Sequence, residues 1–394
     1  MLPWIDALRG LAILMVLANH VALQVPGLSA PLRALASFGQ MGVQLFFVAS
    51  AYTLCLSWQQ RAAVEACRRE AGGAETSHHL LLAFLLRRFF RIAPLYWFAI
   101  VFFSCWHLAF AESSNEPESA YTLAHQLANA LFIHGLLPSA QNAVVPGGWS
   151  IGVEMVFYAL FPALLQGLQG LQQRRPSWPP GLGAALAALF LLGLHLLWQS
   201  LTRTVPLANN SADYFHPLNQ LPVFLLGMAW FDWRRQLPRT GPLAGWHAAL
   251  LLSLLPLASC ALLWRSTWPL AFALIPSLAG LGFVLLAQGL SHAPRLPDWL
   301  CRIGRASYAI YIIHILFAWH GLHALQALWP LSGDGAYLLA LLLVSAMSYA
   351  AARLLGRCIE RPGIALGARL IQRLQATPQS PAKAQVLIAQ KGLK

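Results

Sequence analysis

Charged residues are scarce in this chain. Asp, Glu, Lys and Arg together make up 10% of its 394 residues, whereas soluble domains carry about 25%. Hydrophobic residues make up 58% of the sequence, and long apolar runs recur from one end to the other. This composition excludes a soluble enzyme with a single anchor and predicts an all-α, polytopic bundle of about ten transmembrane helices in a lipid bilayer.

The position of the positive charges argues against nucleic acid as a partner. A net charge of +13 would suggest nucleic-acid binding in a soluble protein. Here the basic residues lie between the apolar runs, where membrane topology explains them better. We therefore expect no nucleic-acid partner.

The sequence also lacks the cysteine patterns of zinc sites and disulfide frameworks. None of its six cysteines forms a Cys-x-x-Cys pair, so we interpret them as reduced or lipid-buried packing residues. They are Cys55, Cys67, Cys105, Cys260, Cys301 and Cys358. The tandem His78-His79 is typical of a solvated loop, and the i, i+3 pair His320 and His323 of a membrane interface. We expect no metal site and no bound cofactor.

Ten apolar runs are long enough to span a bilayer. They cover residues 5–25, 38–58, 92–110, 149–166, 183–200, 215–231, 245–264, 269–289, 306–326 and 335–355. An even number of spans places both termini on one side, and the basic residues identify that side. One set of alternate segments holds 23 Lys and Arg, while the opposite set holds only Arg33, Arg203 and Arg265. We expect the basic side, with both termini, to be cytoplasmic.

Two regions outside the spans are expected to differ from the bundle. Residues 121–137 are only moderately apolar and follow an acidic segment, 111–120, that has no Lys or Arg. We predict a re-entrant or interfacial helix there, on the outer face. The membrane domain is predicted over 1–360, and the polar residues 361–394 are predicted to form a cytoplasmic tail that is partly disordered.

The first span carries a basic residue and a histidine eleven positions apart, Arg9 and His20. Eleven steps of about 100° return to nearly the same helix face, and the rise is roughly 16 Å. Both side chains therefore point the same way, with His20 past the midplane. Ionisable groups in lipid are costly and usually mark a functional pathway. The alternative is a snorkelling anchor and a packing histidine.

A basic cluster precedes the third span. Arg88 and Arg91 are three residues apart and share a helix face. Their planar guanidinium groups suit the recognition of phosphate, which favours a phosphorylated donor on the cytoplasmic side. The alternative is ordinary anchoring at the inner membrane edge. Pro94 is expected in the first turn of the helix that follows.

The fourth span opens with Ser150, which is expected to cap its helix. Glu154 follows one turn inside, four residues before Tyr158 on the same face. An intramembrane carboxylate needs a partner or an aqueous cavity. If His20 lies at a similar depth, the two form the arrangement of a general base whose partner sets its tautomer. The alternative is a buried structural pair.

The ninth span carries a polar stripe. Ser307, Tyr311 and His314 follow helical spacing and share a face. In a membrane helix, such a stripe is expected to face the interior of the bundle.

In this order, the motifs resemble the acyltransferase 3 family of integral membrane O-acyltransferases that modify cell-surface sugars. The resemblance runs over nearly the whole chain and rests on six short motifs. They are Arg9-x10-His20, Gly42-Val43-Gln44-Leu45-Phe46-Phe47-Val48, Arg87-Arg88-x-x-Arg91-Ile92-x-Pro94-x-Tyr96-Trp97, Trp149-Ser150-x-x-x-Glu154-x-x-Phe157-Tyr158, Ser307-Tyr308-x-x-Tyr311-x-x-His314 and Glu360-Arg361-Pro362. Ser50-Ala51 departs from the usual Ser-Gly. No extracellular hydrolase-like domain is appended, so the membrane unit is expected to complete transfer alone or with a protein partner.

The resemblance implies a donor and an acceptor on opposite faces of the membrane. The donor is an acyl-CoA, usually acetyl-CoA, which is a co-substrate from the cytoplasm. The acceptor is a hydroxyl of an extracytoplasmic glycan or lipid-linked sugar. Arg88 and Arg91 are then expected to hold the CoA phosphates, with Arg9 along the donor path. His20 is expected to act as general base on the acceptor hydroxyl or to accept the acyl group itself.

The other motif residues are expected to complete this site. Glu154 would orient His20 or bind the acceptor. Tyr308 and His314 would line the channel and stabilise the developing oxyanion. The channel or acceptor site would also include Ser150, Tyr158 and Tyr311.

Three other classes of membrane protein stay open. A proton-coupled or lipid-linked sugar transporter would also carry intramembrane Arg, His and Glu, and flux without acyl chemistry would identify it. A glycan polymerase predicts larger outer loops than these. A purely structural partner does not explain four polar motifs on inward-facing stripes. Many arginines with few lysines, together with abundant Ala and Leu, suggest a bacterium and hence an inner-membrane location.

Overall fold

Regular structure in this protein is helical. A computed structural model describes residues 2–70, 77–110, 118–202, 205–236 and 246–375, and it contains no strand within those ranges. The described helices are α1 (Pro3–Gln24), α2 (Ala30–Phe38), α3 (Gly42–Glu70), α4 (Ser77–Ala109), α5 (Leu123–Ala130), α6 (Trp149–Arg174), α7 (Leu182–Thr202), α8 (Ala212–Phe215), α9 (Pro217–Arg234), α10 (Trp246–Trp264), α11 (Ala271–Ser291), α12 (Asp298–Arg305), α13 (Ser307–Ile315), α14 (Leu322–Leu328), α15 (Gly333–Leu355) and α16 (Arg361–Gln375). The predicted all-α polytopic bundle is confirmed.

Nine helical stretches of the described chain are long and apolar enough to cross a membrane. They are Pro3–Gln24, Ala30–Cys67, Leu80–Ala109, Trp149–Arg174, Leu182–Thr202, Trp246–Trp264, Ala271–Ser291, Ser307–Leu328 and Gly333–Leu374. The ten predicted spans correspond to these nine and to α9. Helix α9 has 18 residues but does not reach the same apolarity.

Helix α9 tolerates polar residues because it packs against α3, α6, α7, α8 and α11. Its Asn219 and Gln220 are fully buried, and both side-chain amides donate to the backbone carbonyl of Tyr214, at 3.0 and 2.8 Å. Gln44 of α3 donates to the side-chain oxygen of Gln220 at 2.9 Å. A helix whose polar groups are paired inside the bundle does not need the hydropathy of a lipid-facing helix.

Helices α3 and α4 extend well beyond the predicted spans 38–58 and 92–110. The intervening stretches 59–70 and 77–91 contain neither proline nor glycine, so the helices continue after their apolar pattern ends. The placement of Pro94 in a first turn is wrong: it lies inside α4, where a side chain on Gly363 of α16 would collide with its ring. The side chains of His78 and His79, like residues 111–117, lie outside the described part of the chain.

The outer segment predicted over 121–137 contains only one short α-helix. Helix α5 has eight residues and is followed by a 3-10 turn at His134–Leu136. A transmembrane helix needs about 20 residues, so α5 is too short to cross the bilayer.

The chain beyond α15 continues as a helix. A π-helical turn, Gly356–Glu360, joins α15 to α16. The predicted domain boundary at 360 therefore falls within helical structure. The rest of the predicted tail, 376–394, lies outside the described residues.

Helix α1 lies at the centre of the bundle and packs on α2, α3, α11, α12, α13 and α15. Two glycines permit its closest contact, which is with α12. A side chain on Gly10 would collide with the carbonyl of Leu300, and one on Gly304 with the carbonyl of Asp6. This contact holds the start of α1, and with it Arg9, against the helix that leads into α13.

Candidate functional site

Side chains from α1, α3, α4, α6 and α13 surround one partly open polar cavity. The volume of this cavity is about 70 Å³. We call it the arginine pocket and define it by its polar lining residues. They are Arg9, Ser50, Arg88, Arg91, Ser150, Glu154, Tyr158, Ser307, Tyr308 and Tyr311. The pocket brings together every predicted site residue except His20 and His314.

Glu154 is held by hydroxyl groups inside this pocket. Its carboxylate accepts hydrogen bonds from Ser50 Oγ, at 2.6 Å, and from the hydroxyl of Tyr158, which lies one turn further along α6. Within the described residues, no hydrogen bond joins Glu154 to His20. The carboxylate therefore has its polar partners on α3 and on its own helix, in the pocket that contains three arginines.

Arg91 is already paired. Its guanidinium forms an ion pair with the carboxylate of Glu360, and it lies over the ring of Tyr308 at 6.0 Å from the centroid. The Tyr308 hydroxyl donates to the backbone carbonyl of Ile92 at 2.8 Å. These contacts fix one wall of the pocket, and Glu360 neutralises one of its three arginine charges.

Arg88, in contrast, has a buried donor without a partner. Its guanidinium carbon lies 5.8 Å from the ring centroids of both Phe84 and Tyr158, and its Nε is buried with no hydrogen-bond partner in the described chain. Arg9 lines the same pocket and forms no ion pair with any described residue. An unpaired buried donor is costly, so the pocket favours an anionic ligand.

Ser150 and Tyr311 join α6 to α13. Ser150 Oγ donates to the hydroxyl oxygen of Tyr311 at 2.7 Å, and the Tyr311 hydroxyl donates to the carbonyl of Gly147 at 2.9 Å. The prediction that Ser150 caps its helix is wrong. Helix α6 begins at Trp149, so Ser150 lies within the first turn, and its hydroxyl bonds across the helix interface instead.

His20 and His314 form a second polar centre. Their ring centroids are 4.9 Å apart, and His314 Nε2 lies 3.3 Å from His20 Nδ1. His20 Nδ1 is also 3.0 Å from the carbonyl of Val16, and His314 Nδ1 is 2.7 Å from the carbonyl of Tyr311. Because a carbonyl only accepts, these partners assign the proton to Nδ1 in both neutral rings. His20 Nε2 then holds a lone pair and has no hydrogen-bond partner among the described residues.

The two centres meet along α13. Tyr311 lines the arginine pocket, and its ring centroid is 5.6 Å from that of His314. His314 is buried, whereas His20 is only partly buried. The side chains of Tyr311 and His314 therefore connect the arginine pocket to His20.

Three residues at these centres were not assigned a role from the sequence. Ser50 lies in a run of small residues that indicates packing, and its partner Glu154 is 104 residues away. Glu360 belongs to the closing motif, but no local signal connects it with Arg91, 269 residues earlier. Trp319 lies outside every motif, although its ring centroid is 6.3 Å from that of His20. Only the tertiary fold reveals these partners.

A buried network fastens the segment 121–137 to α4 and to the start of α6. The hydroxyl of Tyr96 donates to Asn129 Oδ1 at 2.7 Å. His134 Nε2 lies 3.1 Å from the Tyr96 oxygen and donates to the carbonyl of Gly148 at 3.0 Å. Burial lowers the pKa of His134, which favours the neutral imidazole at neutral pH. The network therefore positions the first turn of α6.

Metal ligands and thiols do not gather at either centre. Within the described ranges, no group of three His, Cys, Asp or Glu side chains is placed to hold a metal ion. Cys55, Cys260 and Cys301 are buried, and none of them lines the arginine pocket. The polar groups of the two centres belong to Arg, Glu, Ser, Tyr and His.

Comparison with known proteins agrees with this arrangement. The acyltransferase domain model of the acyltransferase 3 family matches residues 2–355, which include the lining of the arginine pocket and both histidines. The exopolysaccharide production protein ExoZ of Rhizobium meliloti (strain 1021) is 27% identical over 286 residues, which cover 70% of this chain and 75% of that protein. No solved structure matches the chain. The chain therefore belongs to the acyltransferase 3 family and is a membrane-embedded O-acyltransferase.

Proposed function

We propose that this protein moves an acetyl group from acetyl-CoA, on the cytoplasmic side, to a hydroxyl of an extracytoplasmic sugar or polysaccharide. The observation that carries the proposal is the row of ring contacts, Tyr311 to His314 to His20, that leads from the arginine pocket to a histidine whose Nε2 has no partner among the described residues. The pocket suits a phosphorylated donor, and the histidine suits the deprotonation of a hydroxyl. The likeness to a protein named for exopolysaccharide production supports a polysaccharide acceptor.

The arginine pocket provides the donor site. CoA carries several phosphate groups, and guanidinium groups bind phosphate through paired hydrogen bonds. Three arginines meet two carboxylates here, Glu154 and Glu360, so one positive charge is in excess. Arg88 offers its unpaired Nε to the anion, while Arg91 keeps its ion pair and supports the wall.

His20 provides the base. Its Nδ1 proton is shared between the Val16 carbonyl and His314 Nε2, so Nε2 offers a lone pair. Nε2 takes the proton of the acceptor hydroxyl as the hydroxyl oxygen attacks the thioester carbonyl. The tetrahedral intermediate then expels CoA as a thiolate, which leaves with the proton that His20 returns. His314 is a positioning residue that holds the tautomer and orientation of His20.

The same lone pair suits a covalent route. In that route, Nε2 of His20 attacks the thioester, releases CoA and carries the acetyl group until the acceptor hydroxyl takes it. A burst of CoA release without acceptor, equal to the amount of enzyme, identifies this route. A release rate that depends on acceptor from the first turnover identifies the general base.

The tyrosines of α13 have their hydroxyl protons engaged. Tyr308 donates to Ile92 and Tyr311 to Gly147, and His314 Nε2 is an acceptor in the assigned tautomer. In this arrangement, neither Tyr308 nor His314 offers a donor to the developing oxyanion that we expected them to stabilise, and Tyr311 offers none either. Arg9 keeps the role expected of it along the donor path, because it lines the pocket and forms no ion pair with any described residue.

Transfer of radiolabelled acetyl tests the proposed function. Membranes with the natural chain or with His20→Gln, at matched expression, receive labelled acetyl-CoA and host polysaccharide from which mild alkali has removed ester groups. We expect alkali-labile label in the polysaccharide with the natural chain and about a 100-fold or greater loss with His20→Gln, the range for a general base. His323→Gln, an exposed site further along the polypeptide, is the matched control and should keep full transfer.

Two other results would contradict parts of the proposal. Equal label with His20→Gln and the natural chain would exclude His20 as base or acyl carrier. Sugar flux across the membrane without any acyl label would instead identify a transporter.

A further inference from the structure

Trp319 has a buried donor that no role described above uses. Its indole Nε1 is buried and has no hydrogen-bond partner within the described ranges. Leaving such a donor unpaired costs about 1–3 kcal/mol, and in native proteins it asks for an explanation such as a ligand. Trp319 also lies in a π-helical segment, Leu316–Gly321, and such segments are frequent at functional sites.

The indole ring of Trp319 lies beside the imidazole ring of His20. The ring centroids of Trp319 and His20 are 6.3 Å apart, with the planes inclined by 59°. His20 is partly exposed, and its Nε2 has no partner among the described residues. Two neighbouring rings thus each have one polar atom without a partner in the described part of the chain, a donor on Trp319 and an acceptor on His20. A hydroxyl-rich molecule offers matching groups to both.

Trp319 lies apart from the donor site along the helical axis that runs from α13 through the π-helical segment. Tyr308 and Tyr311 line the arginine pocket, His314 contacts His20, and Trp319 follows five residues later. At about 1.5 Å per residue, Trp319 lies roughly 12 Å beyond Tyr311 along the helix. With the donor in the arginine pocket, the acceptor meets His20 from the Trp319 side.

We infer that Trp319 and His20 form the acceptor subsite and that its ligand is a saccharide. The indole N–H donates to one hydroxyl oxygen of the sugar, while His20 Nε2 takes the proton of the hydroxyl that is acylated. The flat face of the indole packs on the apolar C–H face of the sugar ring, and its N–H meets the polar edge. This inference rests on the proposed function, because it requires a donor in the arginine pocket.

Trp319→Phe tests the subsite, because phenylalanine keeps an aromatic ring and removes the N–H. The control is Trp329→Phe, which changes the same residue type at a site that is 71% exposed. Both variants and the natural chain are purified in lipid nanodiscs. The acceptor probe is alkali-treated host polysaccharide, and the donor is labelled acetyl-CoA.

We expect Trp319→Phe to raise the KM for polysaccharide by about 5- to 10-fold, the effect of one hydrogen bond. The KM for acetyl-CoA and the slow hydrolysis of acetyl-CoA without acceptor should stay unchanged, and Trp329→Phe should match the natural chain in all three. A merely structural change would alter donor KM and hydrolysis as well.

Three outcomes would overturn the subsite. An unchanged polysaccharide KM in Trp319→Phe would exclude the N–H as an acceptor contact. Equal losses for donor and acceptor, with a lowered melting temperature, would make Trp319 a packing residue. Absence of label with the natural chain would overturn the proposed function itself, and the subsite would fall with it.

Discussion

Arg88 and Arg91 lie three residues apart in one motif, yet they differ in whether their guanidinium groups are paired. Arg91 forms an ion pair with Glu360 and lies over Tyr308. Arg88 has only ring contacts, and its buried Nε lacks a partner within the described part of the chain. Burial removes water from the Arg88 Nε without giving it a hydrogen-bond partner, and a bound anion would supply that partner. We therefore expect Arg88 to contribute more to donor affinity than its neighbours.

Arg88→Gln should raise the KM for acetyl-CoA by about 10- to 100-fold, because a hydrogen bond to a charged group contributes about 1.5–3 kcal/mol. The measurement is initial rate against acetyl-CoA concentration, at saturating polysaccharide. Arg87→Gln is the matched control. This substitution removes the same charge one residue away, and Arg87 does not line the arginine pocket. Equal effects of the two changes would indicate surface charge rather than a defined phosphate contact.

The sequence predicted which residues meet in the pocket better than it predicted their partners. Helical spacing placed Glu154 and Tyr158 on one face, and they are bonded. It also suggested that Glu154 would pair with His20, but spacing within one helix does not determine which neighbouring helix faces it. Instead Ser50 bonds to Glu154, and His314 contacts His20. The pairing of His20 with His314 spans 294 residues and has no local signal.

At the scale of elements, α12 packs on α1 too closely to accept larger side chains at the contact. Gly304 faces the carbonyl of Asp6 and Gly10 the carbonyl of Leu300, at distances that leave no space for a side chain. Close helix approach through small residues is a common source of packing energy in membranes. Because Arg9 directly precedes Gly10, this contact also determines where its guanidinium enters the pocket.

Gly304→Ala should lower the melting temperature of the purified protein by several degrees, because overpacking typically costs about 1–3 kcal/mol. It should also raise the KM for acetyl-CoA, since Arg9 shifts with α1. Gly167→Ala is the control: that glycine lies within α6 with nothing within 4 Å of the added carbon, so the change should be neutral or slightly stabilising. A Gly304→Ala variant with unchanged melting temperature and donor KM would show that this contact does not position Arg9.

Elements were predictable where apolar periodicity marks them and less so elsewhere. The membrane parts of α3 and α4 were found, but their polar extensions to Glu70 and from Ser77 carry no such signal. Pro94 and Ser150 match the residue preferences of helix starts, yet both lie inside helices. Contacts between residues distant in sequence outweigh these local preferences, as the packing of Pro94 against Gly363 illustrates.

At the scale of the molecule, the proposed reaction follows one helical axis. Tyr308 lies at the arginine pocket, His314 at His20, and Trp319 beyond them. From Tyr308 to Trp319 the rise is roughly 16 Å, about half of the apolar thickness of a bilayer near 30 Å. Helix α13 and the π-helical segment that follows it therefore connect two depths of the membrane beside α1.

This account requires the topology predicted from the basic residues, with both termini cytoplasmic. Alkaline phosphatase fused after Thr202, at the end of α7, should be active because that end is predicted to be extracytoplasmic. Alkaline phosphatase fused after Arg174, at the end of α6, or after Gln375 should be inactive. Green fluorescent protein fused at the same two positions should be fluorescent. The reverse pattern would place the arginine pocket on the outer side and contradict a cytoplasmic donor.

The most direct test of transfer through the bundle uses sealed proteoliposomes of uniform, inside-out orientation. Alkali-treated polysaccharide is enclosed in the lumen, and labelled acetyl-CoA is added only outside, at the face that is cytoplasmic in the cell. The account predicts ester-linked label on the enclosed polysaccharide with the natural chain and none with His20→Gln. Label that appears only when acetyl-CoA and polysaccharide share one face of the membrane would contradict it.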